Sequence, residues 1–203
     1  QGNLYSLLKL LLMFFGVTVG FWAFHGPARV LEEKLGFLVK LDTNGSNPEM
    51  LKKLIDDKLI DYVAMDVKAP IETKSEIRNP KFEINSKTKI SKYEKAAGVK
   101  INLNKIRKSV EIIKNSGIDY EFRTTVVPTI HTKEDIICIA KWIGRPTRLR
   151  QGFGGREKYY LQNFRAEKTI NPEFEKIKPY SKEFLLEIKK EISEFFEVCE
   201  VRG

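Results

Sequence analysis

From residue 36 onward, short β-branched apolar runs alternate with segments whose apolar positions recur every three or four residues. The period of two marks strands and the period of 3.6 marks helices. Residues 37–41 (FLVKL) read as a buried strand, followed by Asn47-Pro48, an N-cap with proline at the first helical position. Met50, Leu51, Leu54 and Ile55 then share one face, which predicts a helix to about Asp57. Residues 62–66 (YVAMD) form the next predicted strand. Asn102 caps a helix whose inner face is Leu103, Ile106, Val110 and Ile113 and whose end is Asn115-Ser116-Gly117. A strand over 120–127 stops at Pro128, and Thr132 with Asp135 makes a capping box for a helix carrying Ile136, Ile139, Ala140 and Ile143. A strand over 158–162, a helix capped by Ser181 with Phe184, Leu185, Ile188, Ile192 and Phe195 inward, and a strand over 197–201 complete the series. Strands alternating with helices predict parallel βα units and an α/β fold.

Three stretches break the pattern. Residues 69–98 are lysine-rich with few large apolar side chains, too long for an ordinary βα connection, and read as an active-site lid or a surface loop. Residues 144–156 hold four of the ten arginines of the chain and interrupt a helix-to-strand turn. Residues 1–35 lack the lysine and glutamate texture of the rest. These last two stretches are genuine insertions, basic loops that touch phosphate, or sequence out of frame with its surroundings. The chain therefore divides into an atypical apolar segment, 1–35, and an α/β region, 36–203, with an atypical insertion at 144–156.

Composition narrows the classes. Of 203 residues, 42% are apolar, enough to bury a core. The formal charge of +9 comes from lysines scattered over amphipathic segments, which argues for solvated helix faces and against a nucleic-acid groove. The two cysteines, Cys138 and Cys199, are far apart in apolar segments and suggest neither a disulfide nor a zinc knuckle, which points to a reducing, cytoplasmic compartment. The uncharged run 10–24 spans fifteen residues, short of the roughly 20 of a membrane-spanning helix, and its centre is β-branched and broken by Gly16 and Gly20. A buried strand is the better reading, with a membrane anchor over residues 7–24 as the alternative.

Four motifs sit at strand ends, where α/β folds place ligand-binding groups. They are residues 37–48 (FLVKLDTNGSNP), 61–70 (DYVAMDVKAP), 122–128 (FRTTVVP) and 160–165 (YLQNFR). Taken in this order they resemble the radical S-adenosylmethionine activating enzymes. Within that family the likeness is nearest to anaerobic ribonucleoside-triphosphate reductase activating proteins, with pyruvate formate-lyase activating enzymes as relatives.

The resemblance implies a partial (β/α)6 barrel of the radical S-adenosylmethionine type. It also implies two cofactors, S-adenosylmethionine and a [4Fe-4S] cluster held by a C-x-x-x-C-x-x-C motif, and a glycyl radical enzyme as partner. Three thiolates leave one iron open for the amino and carboxylate groups of the cofactor, whose reductive cleavage generates the radical. By match to the family, Asp42 and Thr43 sit beside the cofactor carboxylate and help bind a cation, Asp66 is the second acid there, and Lys68 and Arg123 contact the cofactor. No catalytic side chain and no metal ligand is singled out. No C-x-x-x-C-x-x-C occurs in the 203 residues, nor the expected Gly-Gly-Glu-Pro. The likeness thus covers strands three to six, the early strands are expected to be missing or degenerate, and the cluster is not expected to be bound. A barrel that binds S-adenosylmethionine or the partner without catalysis is the alternative.

Other residues receive plainer readings. Without the family, Asp42 to Gly45 is an ordinary turn with an Asn-Gly pair, and Arg123 is an ion-pair partner for Glu121. Phe164 stands where relatives carry a histidine, so only stacking is expected from it. His131 is read as a solvated loop histidine, Cys138 as a small core residue, and 152–155 as a glycine-rich stretch without phosphate-loop spacing.

Overall fold

In a computed structural model the described residues are 36–71, 91–144, 157–167, 169 and 171–203. The chain divides into two compact units, Gln1–Val39 and Lys40–Gly203, and the second carries all the regular structure considered below. Its elements are β1 (Lys40–Thr43), α1 (Pro48–Asp56), β2 (Tyr62–Asp66), α2 (Lys92–Ala97), α3 (Leu103–Asn115), β3 (Asp119–Val126), α4 (Lys133–Ile143), β4 (Glu157–Asn163), a 3-10 turn (Pro172–Lys176), α5 (Lys182–Ile192), a second 3-10 turn (Ser193–Phe195) and β5 (Val198–Arg202). Residues 1–35 and 145–156, on which the readings of an atypical segment and an insertion rest, lie outside the described set, as do residues 72–90.

The five strands are parallel and ordered β1-β2-β3-β4-β5 without reversal. That order decides the architecture. Parallel crossovers are right-handed, so successive connections running in one direction put every helix on the same side of the sheet. A doubly wound sheet would need a reversal. The packing agrees: Ser109 of α3 donates to Gly45 O (2.8 Å) beside Met65, Tyr159 of β4 lies 4.8 Å from the Phe196 ring, and Asn163 donates to Tyr180 O (2.9 Å). Met65, Phe122, Tyr159 and Cys199 are paired in register across β2 to β5, so all belong to one side.

On that side Val63, Met65, Tyr120, Phe122, Tyr159 and Leu161 are buried against Ile106, Val110 and Ile113 of α3, Ile136, Ile139 and Ile143 of α4, and Leu185, Ile188 and Ile192 of α5. The helices start where the caps predicted: Asn47, Asn102, Thr132 and Ser181 each accept a hydrogen bond from the first turn, and Thr132 with Asp135 closes a full capping box. Neighbouring helices are linked by Lys108–Glu49 (3.1 Å) and by Lys133 to Glu187 and Glu191.

Three readings need correction. The first strand begins at Lys40 rather than residue 37, and Phe37 and Leu38 are 60% and 83% exposed, so β1 is a short strand and the described residues just before it are not buried. The stretch 69–98 includes a helix, α2, held by a Ser91/Glu94 capping box and ended by Gly98 at φ 72°. Its six residues are too few to show a period of 3.6. Cys138 is exposed on α4, because Ile136, Ile139 and Ala140 already fill the inward side of that helix. Among the described residues no helix is long and apolar enough to cross a membrane, and residues 7–24 lie outside that set.

Candidate functional site

The side of the sheet away from the helices is polar. Strand alternation places Lys40 and Asp42, Tyr62 and Asp66, Glu121, Arg123 and Thr125, Lys158, Tyr160 and Gln162, and Arg202 on it, row by row across the five strands. Parallel sheets ordinarily bury both sides under helices and read as continuous apolar runs. Here one side keeps charges and hydroxyls, as the inner wall of an open barrel does.

Toward the carboxyl ends of β1 to β3 these side chains form one chain of ion pairs. Arg123 is its centre: Nη2 lies 2.7 Å from Asp42 Oδ1 and Nε donates to Asp66 Oδ1 at 3.0 Å. Lys68 Nζ reaches Asp66 Oδ2 at 2.8 Å. Burial alone would lower the Arg123 pKa, but attraction to Asp66 and then Asp42 outweighs it and the pKa is raised. Arg123 is well covered, at 16% side-chain exposure, while Asp42 at 58% and both Asp66 and Lys68 at 32% remain open to solvent. Four of the five predicted residues therefore meet at one place. Thr43 does not join them. It is on the helix side of β1, where its hydroxyl accepts from the Gly45 amide (3.1 Å) and closes the turn.

Gly45 is required by that turn. Its φ is +73°, and a Cβ there would lie 2.2 Å from Met65 Cε and 3.4 Å from Ser109 Cβ. The turn residues hold the end of β1 against α3, and so hold Asp42 in place beside Arg123.

Glu121, expected from the sequence only as a partner of Arg123, is a hub in the structure. Its carboxylate, 4% exposed, takes Tyr62 OH at 3.1 Å and Lys40 at 3.2 Å, with Arg202 at 3.5 Å and Arg123 at 3.7 Å. Burial and the neighbouring Glu121 push the Tyr62 phenol pKa up. The Arg202 guanidinium lies 3.2 Å from the Tyr160 ring centroid. The available signal was the Glu121-Phe122-Arg123 alternation, which puts both charges on the same side of a strand.

His131 is corrected more sharply. Far from solvated, it is 1% exposed, and both ring nitrogens bond main chain: Nδ1 accepts from the Val127 amide (3.0 Å) and Nε2 lies 2.7 Å from Lys68 O. Desolvation lowers its pKa. Beside the ion-pair chain, an open cleft of about 540 Å³ runs over the ends of β3 to β5, lined by Thr125, Gln162, Asn163, Phe164 and Arg202 among others. Phe164 is buried edge-on against Phe174, with ring centroids 6.4 Å apart.

A three-thiolate cluster does not fit these residues. The 203 residues contain two cysteines; Cys138 is exposed on α4, and Cys199 is buried on β5 with its thiol pKa pushed up to about 11, by burial above all. Among the described residues no group of three or more His, Cys, Asp or Glu side chains is placed to hold a metal ion.

A parallel sheet with helices on one side and a charged opposite side defines an open α/β barrel. The same fold is found in a solved domain of pyruvate-formate lyase-activating enzyme from Bacteroides vulgatus, which matches 87% of this chain and 89% of its own with a TM-score of 0.50 at 12% identity. In sequence, the chain is homologous to a protein of Methanocaldococcus jannaschii named "Putative glycyl-radical enzyme activating enzyme", 35% identical over 156 residues. That alignment covers 77% of this chain and 54% of the relative, so the chain spans about half the length of the curated relative it matches. No family model matches.

Proposed function

We propose that residues 40–203 are the S-adenosylmethionine-binding part of a glycyl-radical enzyme activating enzyme, with Asp42, Asp66, Lys68 and Arg123 receiving the amino-acid end of the cofactor. One observation carries the reading: side chains from three strands and a loop converge on a single, partly open, charge-balanced cluster at the carboxyl edge of the sheet. The 35% identity to a protein of that name supports the class.

The chemistry of the cluster suits a zwitterion. A bound amino-acid group presents an ammonium, which Asp42 and Asp66 can accept, and a carboxylate, which Arg123 and Lys68 can meet with N–H donors. In the free protein the four side chains neutralise one another. Binding then exchanges one set of ion pairs for another and leaves no bare charge in a partly dry site, which keeps the desolvation cost low. Thr43 contributes through the turn that fixes Asp42. When bound, S-adenosylmethionine would supply a sulfonium-activated adenosyl group. The iron-sulfur cluster that the family resemblance implies does not fit these residues, so the function proposed for residues 40–203 is binding of S-adenosylmethionine. The partner class is a glycyl radical enzyme, anaerobic ribonucleotide reductase being the specific form suggested by the sequence motifs, in the cytoplasm and without nucleic acid.

Calorimetric titration with S-adenosylmethionine tests the reading. Saturable binding is expected, weakened about tenfold or more by Asp66→Ala, the loss of one charge-assisted contact. Unchanged affinity in that variant would remove the site assignment. Reconstitution with iron and sulfide should leave the protein colourless after desalting. A stable absorption at about 400 nm with about four irons per chain would overturn the exclusion of the cluster.

A further inference from the structure

His131 is buried, unused by the ion-pair chain, and bonded at both ring nitrogens. The Val127 N–H can only donate, so Nδ1 must be the bare nitrogen and the ring proton sits on Nε2, where it donates to Lys68 O. The imidazole thereby bridges the segment after β2 to the segment after β3. Its own main chain is anchored from a third direction: Tyr180, just ahead of α5, donates its hydroxyl to His131 O at 2.9 Å and stacks on Phe184 at 4.3 Å. Parallel bonds hold the same segment nearby. Thr124 Oγ1 donates to Val67 O (2.8 Å), Tyr159 OH donates to Thr124 Oγ1 (2.8 Å), and Val67 N donates to Arg123 O (2.8 Å). Thr124 and Val67 fix the segment as far as Val67, and His131 takes the next residue.

We propose that His131 is a positioning residue for Lys68, locking the main chain of that residue so that its ammonium is presented to Asp66 and to a bound amino-acid carboxylate. The proposal rests on the ligand-binding reading of the Asp42–Arg123–Asp66–Lys68 cluster. Lysine is a flexible side chain, and a fixed Cα removes part of the ordering cost that a ligand would otherwise meet. The charged groups near the ring are Asp135 on α4 and Lys92 on α2, themselves paired at 2.6 Å, so the imidazole faces a neutralised pair and stays a neutral bridge.

A double-mutant cycle on the full chain tests this. S-adenosylmethionine is titrated into wild type, His131→Phe, Lys68→Ala and the double variant, with amide hydrogen exchange followed in each. His131→Phe should weaken binding about tenfold, a coupling of ordinary size. His131→Gln, whose amide can donate to Lys68 O, should recover most of it. In the Lys68→Ala background His131→Phe should cost nothing further, and exchange should quicken at the Val67 and Val127 amides but not at Ala64. Additive losses in the double variant, or unchanged affinity and exchange in folded His131→Phe, overturn the proposal. If wild type binds no S-adenosylmethionine the site reading falls by itself, and exchange at Val67 and Val127 alone decides whether His131 positions the loop. Should His131→Phe fail to fold, His131→Ala, which loses the bond to Lys68 O, carries the cycle, and a cost that persists without Lys68 counts against the proposal.

Discussion

The two sides of the sheet are built from alternate residues of the same five strands, yet they follow opposite rules. Phe122 and Tyr159 are buried under α3, α4 and α5, whereas Glu121 and Tyr160, one position away, belong to a wall of charges and aromatic rings. The helix side holds the chain together through area and shape; the polar side is held by pairing, each charge needing its partners because it is only partly wet. A one-residue slip in any strand would exchange the two sets, so the fold and the site depend on the same register.

The contrast can be broken at graded strength. Phe122→Ala should cost about 3–5 kcal/mol in urea unfolding, since a cavity opens in the core beneath the helices. On the polar side Glu121→Ala should cost about 2 kcal/mol, less than the loss of a fully buried pair, because Lys40 and Arg202 keep 44% of their side chains in solvent. A loss equal to that of Phe122→Ala would mean that both sides are core. Gly45→Ala should cost about 1–2 kcal/mol from the positive φ alone, read as a shift in the urea midpoint, and it should lower ligand affinity through Asp42. The smallest effect concerns pH. Because burial depresses the His131 pKa below its ordinary 6.5, the unfolded chain takes up the proton first. Stability from this group is complete above pH 6.5 and is lost as pH falls through the folded value. Asp135 and Lys92 are the charged groups near the ring, and His131→Gln should flatten that part of the pH–stability curve.

Helices were legible from the sequence because their apolar spacing and caps are local: α3 begins after Asn102 and ends before Ser116-Gly117 as the pattern required. Strands β2, β3 and β4 were legible within a residue or two for the same reason. The short α2 and the late start of β1 were not. Six residues give too little periodicity, and the apolar Phe37 and Leu38 imitate a strand that the sheet does not contain. Asp42, Asp66, Lys68 and Arg123 follow from the resemblance of the strand-end motifs to the family, but motifs carry no distances. His131 looked like a loop residue because nothing local indicates that three segments close around it.

By itself the sequence determined the alternation of strands and helices, the caps, the charges at the strand ends and the absence of a three-cysteine motif from these residues, since each is a property of neighbours along the chain. Only the tertiary structure decided that the sheet runs in one order with its helices on one side, that Arg123 joins Asp42 to Asp66, that Glu121 gathers four partners and that His131 bridges Val127 to Lys68. Those are contacts between residues up to 81 positions apart, and they depend on register and crossover hand, which no local pattern encodes.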